Sequence, residues 1–117
     1  MKTSELKDGI LNWAVAIALR TMRWDDDRLC YVTEHGQDFE PSTDWSQGGP
    51  IIERERIELT FDRANETDTL WRSEMFDMEG VSIAHEYGPT PLIAAMRCYV
   101  ASKLGDTIDI PEELNHV

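Results

Sequence analysis

Basic residues are scarce in this chain. Eleven Lys and Arg stand against 23 Asp and Glu, a formal net charge of −12. That balance excludes a protein that binds nucleic acid by neutralising phosphates, which needs clustered cations. Two readings of the acidity remain: self-repulsion that favours solubility, or an acidic surface for a basic partner, including DNA mimicry. A mimic would carry its acids as a long regular stripe. Here they are scattered, with one short cluster at Asp25-Asp26-Asp27. Cysteine is nearly absent: Cys30 and Cys98 are too few for a disulfide framework. Long apolar runs are missing as well. No stretch approaches the ~20 apolar residues that span a bilayer, and the first apolar run has no cleavage-type tail. The expectation is a protein of a reducing cytoplasm with no membrane contact.

Standard catalytic patterns are also lacking. His35, His85 and His116 share no metal-ligand spacing. Cys30 and Cys98 do not form a C-x-x-C pair, and there is no G-x-S-x-G. The phosphate-loop spacing is absent too. Asp25-Asp26-Asp27 could hold a hard cation, but an acidic triplet after a helix reads more simply as a solvated turn. Arg54 and Arg56, flanked by Glu53, Glu55 and Glu58, read as surface ion pairs of little energetic worth. No catalytic residue, metal or cofactor is therefore expected.

What is present suffices for a folded domain. A chain of 117 residues with 41% hydrophobic and 29% charged side chains is ordinary for one globular unit, here residues 1–117. The clearest element is a helix over residues 91–104. Thr90 is a good N-cap, Pro91 suits the first helical position, and Gly105 suits the stop. Leu92, Met96, Tyr99, Val100 and Leu104 make its apolar stripe. A second helix is expected over about residues 9–20, capped by Thr3 or Ser4. Leu6, Ile10, Trp13 and Ile17 form one face, and Leu11, Val15 and Ala18 widen it. It is apolar almost all round, so it should be covered on more than one side. Residues 29–32, 56–62, 70–76 and 81–84 read as strands. Residues 21–27 read as a polar turn and 33–50 as a long loop. The sum is an α+β domain, with two main helices packed on a small antiparallel sheet.

The loop holds the densest set of functional side chains. Asp44 could form a turn with the backbone two residues on. Gly48-Gly49 would permit close approach of a ligand to bare backbone, and Trp45 offers a ring for stacking. With Thr43 and Gln47 these could line a pocket for a planar, nucleotide-like ligand. Alternatively the loop is an ordered connector in which Ser42 and Asp44 cap turns and Trp45 plugs the core. Gly88 and Thr90 lead into the N-terminus of the 91–104 helix, which suits an anion; alternatively Thr90 only caps, and His85 and Tyr87 are surface residues. Arg97, from the helix, completes the candidate ligand-binding set.

Three stretches resemble a known family. They are Leu11-Asn12-Trp13-Ala14-Val15-Ala16 after Ser4-Glu5-Leu6, then Ser42-Thr43-Asp44-Trp45-Ser46-Gln47-Gly48-Gly49-Pro50-Ile51-Ile52-Glu53-Arg54-Glu55, then the segment from Gly88-Pro89-Thr90-Pro91 to Val100-Ala101-Ser102. Together they are similar to the NinX family, small proteins of tailed bacteriophages and prophages. Asn12 stands where the family would have an acid, and Ser46 where it would have Ala. The resemblance implies a phage-encoded accessory protein in a host bacterial cytoplasm and transfers no catalytic residue. A non-catalytic binding module for a small nucleotide-like ligand or a host protein is the leading expectation. The alternatives are an enzyme acting on a nucleotide-like substrate and an acidic partner of a host regulator.

Overall fold

The computed structural model describes residues 1–63 and 70–114. Residues 63–69 also read as a polar turn by composition, and of these only Arg63 is described; Asn65-Glu66-Thr67, a glycosylation-sequon pattern within that turn, and His116 lie outside the described residues. The described residues form an α+β fold with three α-helices and two antiparallel sheets.

Helix α1 spans Asp8–Leu19 and helix α3 spans Pro91–Leu104. The α3 entrance forms as its residues dictate: Thr90 Oγ1 accepts from the Ile93 N–H at 3.1 Å, and Pro91 opens the helix. Gly105 takes a φ of +93° at the exit, which only glycine adopts without strain. Leu92 and residues 94–100 are buried, so α3 is covered on every side through its middle turns. The reason is its place between α1 on one side and a sheet on the other. Its alanines, Ala94 and Ala95, let both neighbours come close.

That sheet has the order β3-β4-β5, with β3 at Glu58–Phe61, β4 at Trp71–Phe76 and β5 at Ser82–Gly88. Leu59 pairs with Ser73, Met75 with Ala84 and Trp71 with Gly88. Ser73 is buried, and its hydroxyl donates to the Ala94 carbonyl at 2.6 Å, tying β4 to α3. Strand β5 runs further than expected. His85, Glu86, Tyr87 and Gly88 are paired with β4 rather than forming a loop into α3, because cross-strand partners were waiting for them.

Three further expectations are corrected. First, neither Thr3 nor Ser4 caps α1. Lys7 holds the N-cap position without a side-chain bond. Thr3 is buried in a 3-10 turn, Thr3–Glu5, where its hydroxyl donates to the Gly105 carbonyl at 2.6 Å. Second, the deeply buried face of α1 is Leu11, Ala14, Val15 and Ala16, while Ile10, Trp13 and Ile17 are only half-buried. Third, residues 33–50 are not one long loop. Helix α2 spans Trp45–Glu55 and contains Gly48, Gly49 and Pro50. Helix propensity argued against it, but tertiary packing decides otherwise: Ile51 is buried, and Gly48 lies flat against the chain at Pro41 and Leu92.

Where a polar turn was expected, β1 (Arg23–Asp25) pairs with β2 (Cys30–Val32) in a separate two-stranded sheet. The acidic triplet supplies its turn. Asp25 Oδ1 accepts from the N–H groups of Asp27 (2.9 Å) and Arg28 (3.1 Å).

Candidate functional site

The residues expected to hold a ligand are engaged as follows. Asp44 is the N-cap of α2, accepting from the Ser46 N–H at 2.9 Å and the Ser46 hydroxyl at 2.6 Å. A Cβ at Gly48 would overlap the Pro41 carbonyl oxygen and approach Leu92 Cδ2 to 2.6 Å. Gly48 is therefore packed against Pro41 and Leu92, with no room for a ligand at that point. Gly88 is closed in the same way, since a Cβ there would lie 2.6 Å from the Ala94 nitrogen. Thr90 caps α3. Arg97 is 7% exposed; its Nε donates to the Leu6 carbonyl (2.7 Å) and its Nη1 to that of Tyr87 (2.8 Å). Gly49 is half-buried, and Thr43 is exposed. Trp45, at 55% exposure, stands at the surface and does not plug the core.

Gln47 points to a different place. Its Nε2 donates to the Asp38 carbonyl at 3.0 Å, and its Oε1 accepts from the Glu40 N–H. It thereby pins residues 38–40, which form one wall of a cavity of about 380 Å³. The other walls are the first half of α1 and the β1–β2 hairpin. Ile10 and Trp13 come from α1, Trp24 and Tyr31 from the hairpin, Phe39 from the pinned segment, and Leu114 from the 3-10 turn Glu112–Leu114. The size falls within the range of about 300–1,000 Å³ usual for small-molecule sites.

Local structure explains why these aromatics line a cavity. Trp24 and Tyr31 face each other across the hairpin, and their rings meet edge to face with centroids 5.1 Å apart. The Trp24 indole N–H donates to Asp26 Oδ1 at 3.0 Å, which fixes the ring. Trp13 lies off the most buried face of α1, so the helix turns a second apolar stripe towards the hairpin. Polar side chains stand among these apolar ones: Lys7, Asp8, Asn12, Asp38 and Glu40. Asn12 lines the cavity and accepts from the Ser42 N–H at 3.0 Å. The Ser42 hydroxyl is buried and has no hydrogen-bond partner among the described residues, an uncommon situation for a buried polar atom. Cys30 lines the cavity beside Asp38, its Sγ 3.7 Å from Oδ1. Burial first, then the Asp38 carboxylate, push its thiol up from its ordinary value. Cys98, buried under β5, is pushed up to about 11, chiefly by burial. No group of His, Cys, Asp and Glu suited to a metal ion occurs among the described residues.

The cavity escaped the sequence reading because its walls come from four separated segments. One signal was available: α1 is apolar on more than one side, which requires a second cover.

A family model described as "Bacteriophage P22, NinX" matches residues 2–103. Comparison with curated proteins finds no match. No helix among the described residues is long and apolar enough to cross a membrane.

Proposed function

The chain belongs to the bacteriophage P22 NinX family, and from that premise we propose that it is a phage accessory protein of the host cytoplasm that acts as a non-catalytic binding module, with the groove between α1 and the β1–β2 hairpin as its ligand site. The observation that carries this reading is the cavity of about 380 Å³ walled by Trp13, Trp24, Tyr31 and Phe39. Four aromatic side chains around one opening suit a ligand with a planar ring, such as a nucleobase or nucleoside, because ring faces pack and stack regardless of substituent pattern. Asn12 and the carboxylates Asp8, Asp38 and Glu40 provide the polar groups that orient a ligand in a site with apolar aromatic walls. The raised Cys30 thiol disfavours a thiolate nucleophile in the groove.

The test is a thermal-shift and tryptophan-fluorescence titration with adenine, adenosine and related heterocycles. A ring compound that fits should raise the melting temperature by mass action and change the emission of Trp13 and Trp24. Trp24→Ala should abolish the shift, whereas Trp45→Ala, outside the groove, should leave it intact. Failure of every ring compound at millimolar concentration would sink the proposal.

A further inference from the structure

Charge around the groove narrows what can enter it, an inference that rests on the groove being the ligand site. Asp8, Asp38 and Glu40 line it, with Lys7 the single cation among the described residues of its wall. Arg28 answers Asp38 at 2.8 Å. Asp8 and Glu40 form no ion pair among the described residues. The adjoining hairpin turn adds Asp26 and Asp27, both exposed, with Asp26 held against the Trp24 indole. Cys30, inside the groove, lies beside one of these carboxylates, its Sγ 3.7 Å from Asp38 Oδ1. The walls act in the same sense, because the faces of Trp and Tyr rings carry negative potential and attract cations. An anion entering here would meet carboxylates at the mouth and ring faces within, while the chain as a whole carries a net charge of −12.

We propose that the groove takes a planar ring compound bearing a positive charge, such as an arylalkylamine or a protonated heterocyclic base, and rejects the same ring when it carries a phosphate or carboxylate. The ring fills the space between Trp13, Trp24 and Tyr31, and the cationic group lies towards Asp8, Asp38 and Glu40. Selection is electrostatic at the mouth and apolar in the depth of the groove. Nucleotides are thereby disfavoured relative to free bases and amines.

Tryptamine, indole and indole-3-acetate share one ring and differ in charge, so they test the proposal directly. Binding is followed by amide chemical-shift changes in two-dimensional NMR of the whole chain, at low salt and again at high salt. Tryptamine should bind roughly tenfold tighter than indole-3-acetate at low salt, with the gap narrowing as ions screen the carboxylates. Asp8→Asn with Glu40→Gln should shrink the gap between tryptamine and indole-3-acetate, and a gap as wide as the parent's would overturn the charge selection. Both side chains are exposed and outside any ion pair among the described residues, so folding should not suffer. Equal affinities, or tighter indole-3-acetate, would overturn the charge selection and leave the groove standing as a ring site. Shifts that arise from none of the three compounds would overturn the groove reading itself, and the charge selection with it.

Discussion

Replacing Arg97 by Met removes a clamp between the two ends of the chain. Arg97 Nε holds the Leu6 carbonyl at 2.7 Å and Nη1 the Tyr87 carbonyl at 2.8 Å. Leu6 is fully buried, so no water replaces the lost donor there; Tyr87 is half-buried and recovers part of its loss. A buried acceptor left without a donor costs about 1–3 kcal/mol. Against this, the substitution relieves the desolvation of a buried cation and adds an apolar side chain of similar length. The net loss should be about 1–3 kcal/mol, a sizeable share of the roughly 5–15 kcal/mol that holds a domain together. Equilibrium urea unfolding measures it. With a slope of about 2 kcal/mol per molar, the midpoint should fall by about 0.5–1.5 M. Arg97→Lys should recover only part, because one ammonium on a flexible stem does not span two acceptors lying in different directions. An Arg97→Met variant within about 0.5 kcal/mol of the parent would refute the clamp and return Arg97 to the set of ligand candidates.

Two further outcomes follow from other contacts. Gly88→Ala places a Cβ 2.6 Å from the Ala94 nitrogen and 3.0 Å from its Cα, so backbone must move; overpacking at about 1–3 kcal/mol should outweigh the gain of about 0.4–1 kcal/mol from a stiffer unfolded chain, and the melting temperature should drop. Glu86→Gln should act oppositely and with pH. Burial first, and then Asp106, push the Glu86 carboxyl above its ordinary 4.5, while His85 and Arg97 pull it down. A raised folded value means this group supports the fold below the unfolded value and loses that support as pH rises through the folded value. The Gln variant should therefore melt higher than the parent at pH 7 and equally near pH 4; a lower melting point at pH 7 would contradict the sign.

Local chemistry was enough to determine α3. Thr90, Pro91 and Gly105 write its ends, and Leu92, Met96, Tyr99 and Val100 write its buried stripe. Residues 56–62 and 70–76 likewise read as strands where β3 and β4 form, and the α+β class follows with them. These features depend on neighbours within a few residues, so they are legible along the chain. Three long motifs also carried the family, which the match over residues 2–103 shows.

Tertiary structure alone decided the rest. Gly48, Gly49 and Pro50 read as loop by propensity, yet Gly48 packs as a helical residue because only a bare Cα fits beneath Pro41 and Leu92. Arg97 looked like a ligand residue and is instead a buried donor to carbonyls 91 and 10 positions away. The groove is the clearest case. Trp13, Trp24, Tyr31, Phe39 and Leu114 become neighbours only when the hairpin folds over α1. The sequence determined that α1 had two apolar sides; the long-range fold decided that one faces α3 and the other faces an opening. The physical reason is that helix caps and strand alternation are properties of adjacent residues, whereas a cavity is a property of surfaces that distant segments fail to fill.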